Sequence, residues 1–220
     1  MSSRASIDPQ ALFTRRSGSY DLFIGLVRYR QGLRAFFRHS PLVRSGLRVL
    51  DAGCGTGALT LALREAILSR GLSPGPMQGF DLTPAMLERF RRRLQASAID
   101  RVELTQGDVL QLGALPSGWK EYDLVVSASM LEYVPRDRFV DALNGLRGLL
   151  NRNGRFLLFI TKRNWLMRPL IGRWWHSHLY TAPELTEAFR HAGFATLSFR
   201  EFPVQYGYLA TWGHIIEAEA

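Results

Sequence analysis

Residues 49–57 read Val49-Leu50-Asp51-Ala52-Gly53-Cys54-Gly55-Thr56-Gly57. An apolar run ends in a carboxylate, and three glycines follow at alternate positions. Glycine lets the backbone enter conformations closed to other residues and lets a ligand approach the main chain closely. The next stretch, Ala58 to Leu68, has a helical composition. Its free N-terminal N–H groups would face the same turn, where they favour a phosphate or a carboxylate. A strand, a bare turn and a helix therefore frame a ligand site, and a merely flexible turn accounts poorly for three glycines in that setting.

Working outward, strand-like and helix-like segments alternate. Arg48–Gly53, Met77–Asp81, Val102–Thr105, Tyr122–Ala128 and Arg155–Thr161 read as buried strands. Ala58–Leu68, Pro84–Ser97, Arg136–Leu150 and Pro183–Ala192 read as helices. Thr83 suits the cap and Pro84 the first turn of the second of these. Asn153-Gly154 is read as the stop after the third, and Gly193 closes the fourth. Two strands, Ala195–Phe202 and about Tyr208–Ala218, follow with no helix between them. Such alternation predicts an α/β fold with a mostly parallel sheet and helices on both faces. In such sheets ligands bind beyond the carboxyl ends of the strands. Three carboxylates stand at those ends: Asp51, Asp81 and Asp108. Asp51 is placed to accept from a ligand ammonium, Asp81 from ribose hydroxyls, and Asp108 from an adenine amino group, with the Val109 N–H donating to a ring nitrogen. Asp108 also reads as an ordinary turn aspartate, since Gly-Asp pairs favour turns.

Composition narrows the class. The chain has 220 residues, 46% of them apolar and 21% charged, as expected of a folded single domain. No apolar run approaches the ~18 residues of a membrane span. The start, MSSRASIDPQALFTRRSGS, lacks the apolar core of a secretory signal; it fits a frayed tail and, loosely, a mitochondrial presequence. Cys54 has no second cysteine to pair with and suits a reducing, cytoplasmic setting. The net charge is +9, and two segments carry all the excess: residues 1–48, with nine Arg against Asp8 and Asp21, and residues 162–178, with Lys162, Arg163, Arg168 and Arg173 and no acid. Basic surfaces of this kind attract anions or acidic lipid headgroups.

The glycine spacing alone also satisfies a relaxed dinucleotide-binding fingerprint, Gly53-x-Gly55-x-x-Ala58, which keeps an NAD(P)-dependent oxidoreductase open as an alternative. Four motifs in order, VLDAGCGTG, GFDLTPAML (79–87), GDV (107–109) and YDLVVSASMLEYVP (122–135), resemble the class I S-adenosylmethionine-dependent methyltransferases. More narrowly, they resemble the small-molecule branch that includes the quinone-biosynthesis enzymes. The resemblance runs from about Tyr20 to the final strand. It implies a Rossmann-like seven-stranded sheet whose last strand is antiparallel and inserted beside the fifth, and S-adenosyl-L-methionine as cofactor. It also implies a tail over 1–19 and one methyltransferase domain over 20–220, with a cap helix within 20–46 and an insert, 162–181, over the acceptor pocket. By the same resemblance Asp51, Gly53, Cys54, Gly55 and Gly57 would hold the methionine end of the cofactor. Asp81 would bind ribose, Leu82 and Met86 would line the ribose–adenine region, Asp108 and Val109 would read adenine, and Ser127 would border the methyl group. Cys54 fills the small position in the loop, where the cofactor would cover it, and is not read as a nucleophile. A non-catalytic cofactor-binding or assembly protein of the same fold is the other alternative.

The motifs identify no fixed catalytic residue, because a general base is needed only if the acceptor is protonated. His176, His178 and Tyr180 are the candidates; His39, His191 and His214 read as structural. The pair His176-x-His178 lacks further ligands nearby, so no metal is expected. An Asn/Asp-Pro-Pro-Tyr/Phe tetrapeptide is absent after the fourth strand, no second cysteine is available for attack on a pyrimidine, and no nucleic-acid recognition module is evident. Residues 22–37 place Leu22, Leu26, Tyr29, Leu33 and Phe36 on one helical stripe and Arg30, Arg34 and Arg38 on another. That pattern suits a helix packed on the core, or one lying on an anionic membrane. The insert carries Trp165, Trp174 and Trp175 beside Arg, which suits a headgroup-level surface or an apolar pocket with a cationic rim. The expected acceptor is a small apolar or lipid-like molecule, met in the cytoplasm or peripherally at a membrane.

Overall fold

A computed structural model describes residues 28–164 and 177–220. The element order is α1 (Tyr29–His39), β1 (Val49–Ala52), α2 (Ala58–Ser69), β2 (Met77–Asp81), α3 (Pro84–Ala96), β3 (Val102–Gln106), β4 (Tyr122–Ala128), α4 (Phe139–Arg147), β5 (Leu150–Thr161), α5 (Ala182–His191), β6 (Thr196–Arg200) and β7 (Gly213–Glu219). The tail over 1–19, Leu22, Leu26, the three insert tryptophans, Arg168, Arg173 and His176 lie outside the described residues.

One seven-stranded sheet runs β3-β2-β1-β4-β5-β7-β6. Neighbours from β3 through β5 pair in parallel, while β7 lies antiparallel between β5 and β6. The chain reverses its direction of winding between β1 and β4, which puts the ligand crevice beyond their carboxyl ends. β1 sits mid-sheet, and all four of its residues are buried, as a continuous apolar run predicts for a strand covered on both faces.

Alternation along the strands sorts the core into two layers. Leu33, Phe36 and Phe37 of α1 and Leu59, Leu63 and Ile67 of α2 pack with Val49, Met77, Leu124, Leu157 and Ile215. On that side α3 presents Leu87, Phe90 and Leu94 to Cys54, with Leu104 against them. The opposite layer unites Phe139 and Leu143 of α4 and Leu185 and Phe189 of α5 with Leu50, Val125, Phe156 and Ile216. The core-packed reading of the first helix therefore describes α1, whose Arg34 pairs with Glu65 of α2 at 3.0 Å.

Two boundaries differ from the sequence reading. α4 ends at Arg147, and β5 already starts at Leu150, so Asn153-Gly154 does not stop a helix. Instead the pairing jumps from Tyr122–Leu150 to Leu124–Arg155, and residues 151–154 bulge. Gly154 is required there: a Cβ would lie 2.7 Å from the Tyr122 carbonyl oxygen. Between β6 and β7 a 3₁₀ run, Val204–Thr211, replaces the start of the expected last strand. Its Leu209 fits against Gly32 of α1, a contact between segments far apart in sequence that no local pattern announces.

Register at the antiparallel edge is fixed by charge. Glu217 on β7 is buried and accepts from Arg155 of β5 (3.3 Å) and Arg200 of β6 (2.8 Å). Glu217→Ala is expected to cost about 1–3 kcal/mol, because two guanidinium groups lose a desolvated partner. A lowered urea midpoint with an unchanged m-value is the expected reading, with Glu217→Gln intermediate.

Candidate active site

The turn after β1 forms because all three glycines adopt positive φ: +74° at Gly53, +51° at Gly55 and +84° at Gly57. Left-handed backbone is costly for other residues. Space is equally restrictive at the ends of the turn. A Cβ on Gly57 would sit 2.1 Å from the Phe90 ring, and one on Gly53 would meet Met130 at 2.3 Å. Gly55 differs, with nothing within 4 Å of where its Cβ would be. The middle of the turn is thus left open, while its ends are packed against α3 and the segment after β4.

The two flanking carboxylates lock the turn. Asp51 Oδ2 accepts from the Thr60 N–H (3.2 Å) and the Thr60 hydroxyl (2.5 Å), tying the end of β1 to the first turn of α2. Asp51 Oδ1 is buried and accepts from none of the described residues. Burial pushes this carboxyl up to about 7, against the Thr60 bonds, and the nearby Asp81 adds to the rise. A buried acceptor without a donor is rare in folded proteins and calls for a ligand donor. Asp81 Oδ2 accepts from the Gly55 N–H and its Oδ1 from the Thr83 N–H, both at 2.8 Å. Burial raises its pKa as well, with the two N–H bonds opposing. Each Asp81 oxygen keeps further acceptor capacity for a hydroxyl. Arg93 completes the loop by donating to the Thr56 carbonyl (2.8 Å) and hydroxyl (2.9 Å). The sequence reading missed Thr60 and Arg93, since nothing in a residue's own vicinity signals a partner on a neighbouring helix.

The remaining residues are placed more variously. Cys54 is covered by Leu87, Phe90 and Leu94 of α3, so the protein's own core and not a cofactor encloses it. Burial drives its thiol well above the usual range, helped by the Asp51 and Asp81 charges, and leaves it inert. Asp108 Oδ1 accepts from the Leu110 N–H at 2.9 Å, the turn geometry weighed above. The Val109 side chain joins the core, and its N–H has no partner among the described residues. Met86 is buried in the first turn of α3, and the Leu82 carbonyl accepts from Gln106. Ser127 is fully buried, with its hydroxyl donating to the Ala52 carbonyl at 2.8 Å; it ties β4 to β1.

Of the base candidates, Tyr180 is buried and stacked on Phe139 (centroids 4.5 Å apart), with the Arg136 guanidinium over its ring. Its hydroxyl has no hydrogen-bond partner among the described residues, and burial raises it to about 12 despite Arg136. It is therefore a donor at neutral pH and a poor base. Burial and then Arg136 lower the His178 pKa, so its imidazole is neutral there. His39, by contrast, binds its own helix at the Ala35 carbonyl, His191 pairs with Glu187, and burial brings His214 down to about 4. Glu132, which stands in the fourth motif but was given no role there, is buried just past the carboxyl end of β4, and burial raises its pKa. Among the described residues no group of three His, Cys, Asp or Glu is arranged to hold a metal, and no helix is long and apolar enough to cross a membrane.

With this geometry in view, comparison with known proteins is informative. The family model described as "Methyltransferase domain" matches residues 43–191, from just before β1 through α5. The chain belongs to that family, and its domain is a class I S-adenosylmethionine-dependent methyltransferase. A demethylmenaquinone methyltransferase of Lactobacillus johnsonii is 28% identical over 183 residues, covering 82% of this chain and 70% of that protein. A stretch of the highly reducing polyketide synthase easB of Emericella nidulans is 30% identical over 182 residues; the match covers 73% of this chain but 7% of the synthase. Among solved structures, the magnesium protoporphyrin IX methyltransferase of Synechocystis PCC 6803 with bound SAM shares the fold, with a TM-score of 0.66, 18% identity and 99% of each chain covered. The NAD(P) alternative drawn from glycine spacing gives way to this family assignment.

S-adenosylmethionine fits the residues present, since its ammonium offers the donor that Asp51 Oδ1 lacks. Asp51→Asn is expected to raise the cofactor's KM about 10- to 100-fold, the worth of one charge-assisted bond. The same change is expected to raise the melting temperature of the free protein at pH 8. A carboxyl lifted above its unfolded value stabilises below that value and loses the benefit as pH rises through about 7, and the amide removes that loss. Gly55→Ala is expected to fold, with space for its methyl, yet to bind cofactor at least about tenfold more weakly; calorimetric titration with S-adenosylhomocysteine measures both variants.

Proposed function

We propose that this enzyme methylates a small apolar or lipid-like acceptor, met in the cytoplasm or peripherally at an anionic membrane surface. The observation that carries the cofactor half of this reading is the unpartnered, buried Asp51 Oδ1 beneath an open glycine turn. The acceptor half draws support from the demethylmenaquinone methyltransferase likeness and from the arginines gathered in residues 1–48 and 162–178. Nucleic acid is the less fitting partner, and no metal role is assigned.

When bound, S-adenosylmethionine supplies a methyl group already activated by its sulfonium, so the protein's own contribution is alignment and exclusion of water. Asp51 would take the ammonium, with the Gly53–Gly57 backbone alongside. Asp81 would take the ribose hydroxyls with its remaining lone pairs. Leu82 and Met86 would flank the base, and Asp108 with the Val109 N–H would read its edge. Ser127 acts by holding the β4 end against β1 beside the methyl. For a hydroxyl acceptor His178 is the group able to take a proton, being neutral at physiological pH, and Tyr180 donates without ionising. His176 lies outside the described residues and carries no part of this assignment.

Labelled-methyl transfer tests the proposal. A short-chain demethylmenaquinol, a polar aliphatic amine and buffer alone are compared, with and without vesicles containing phosphatidylserine. Transfer to the quinol, enhanced by the anionic vesicles and weakened by salt, is expected; equal or better transfer to the amine overturns the apolar-acceptor reading. His178→Gln is expected to lower kcat about 10²-fold. In the parent enzyme the rate falls as pH drops through the depressed His178 pKa, because the imidazole gains its proton there; a profile unchanged by the substitution excludes His178 as the base.

A further inference from the structure

Both ends of the insert return to one residue. Glu132 lies in a short 3₁₀ turn, Leu131–Tyr133, just past β4, and is 2% exposed. Its side-chain Oε2 accepts from the N–H of Thr161, the last residue of β5, at 3.0 Å. Its main-chain carbonyl accepts from the N–H of His178 at 2.7 Å. Residue 161 directly precedes the insert and residue 178 lies near its far end, so one side chain and one carbonyl of the same residue hold its two stems. The stems also bond to each other: Lys162 forms a parallel bridge with Tyr180, and the Arg163 N–H donates to the Tyr180 carbonyl at 2.9 Å. Arg136, four residues past Glu132, continues the fastening by donating to the Leu179 carbonyl at 2.6 Å and stacking over Tyr180.

A buried carboxylate is an expensive way to satisfy one N–H, since a neutral oxygen would serve and burial disfavours the charge. Its place at the carboxyl end of β4, on the side of the sheet where the ligand crevice lies, gives that cost a purpose. We propose that Glu132 is a positioning residue that fixes the two described ends of the insert, residues 161–163 and 177–180, and with them orients His178 and Tyr180 toward the acceptor, while taking no part in cofactor binding. This inference rests on the methyl-transfer reading above for its catalytic consequence, but not for its structural one. The cofactor residues hang from a separate set of bonds, Thr60 to Asp51 and Gly55 to Asp81, which share no atom with Glu132. The two halves of the crevice are therefore separable by mutation.

The test compares Glu132→Leu, an apolar replacement of similar volume, with Glu132→Gln, whose amide oxygen still accepts from Thr161. Glu132→Leu is expected to speed amide hydrogen exchange at residues 161–163 and 177–181 about tenfold, with exchange at 53–60 unchanged. Its affinity for S-adenosylhomocysteine, measured by calorimetry, is expected to stay within about twofold, and KM for the short-chain demethylmenaquinol to rise about tenfold. Glu132→Gln is expected to restore most of both effects. Parallel loss of S-adenosylhomocysteine affinity, or parent-like exchange at both stems in Glu132→Leu, overturns the proposal. Should the quinol not be a substrate at all, the acceptor reading fails, while exchange and cofactor affinity still decide the role of Glu132. If Glu132→Leu does not fold, Glu132→Ala is read in its place: faster exchange at the stems alone supports the proposal, and parent-like exchange at the stems or faster exchange at 53–60 overturns it.

Discussion

The bond between Asp51 and Thr60 sets the geometry on which the rest of the site depends. A carboxylate at the end of a central, fully buried strand accepts twice from one residue in the first turn of the following helix. Strand and helix are thereby held close, and the chain between them must turn back in very few residues. Only positive-φ glycines can make that turn with Phe90 and Met130 pressed against its ends. Because Oδ2 is engaged by Thr60, Oδ1 is left buried with no donor among the described residues, a place a cationic ligand group would suit. Structure and recognition are two halves of one carboxyl group.

The same economy recurs at Asp81, which supports the Gly55 N–H while retaining acceptor capacity toward the crevice. Two acids held close together in a buried setting repel, and burial raises both carboxyls. A cationic group placed beside these acids would favour their ionised forms and bring both pKa values down. Cys54, between them, is kept as a protonated thiol by the same field and by burial, so its role is to fill a small space against Gly79.

On the acceptor side the logic is different. Aromatic stacking, a cation over a ring and main-chain bonds fasten residues 178–180 to the segment after β4. These contacts join sequence positions more than forty residues apart, and they converge on Glu132, to which the fourth motif assigned no role, and on Arg136, just beyond that motif. A family that keeps one cofactor and varies its acceptor is served by such a division: the cofactor half is built from short local motifs, and the acceptor half from distant side chains that change independently.

The sequence by itself determined the order of strands and helices, the bare glycine turn after the first strand and the three strand-end carboxylates. All of these follow from hydrophobic runs, glycine spacing and positions a few residues apart. It located β2 and β4 to the residue: β4 carries a β-branched apolar run, and β2 is bounded by Pro76 and by the Thr83-Pro84 start of the next helix. Only the tertiary structure decided which oxygen of Asp51 is engaged by Thr60, that Asn153-Gly154 bulges inside β5 instead of ending a helix, and that Glu132 accepts from both Thr161 and His178. The reason is physical: a hydrogen bond to a distant partner, or a register shift against a neighbouring strand, is fixed by packing between segments that carry no record of one another in the local pattern of residues.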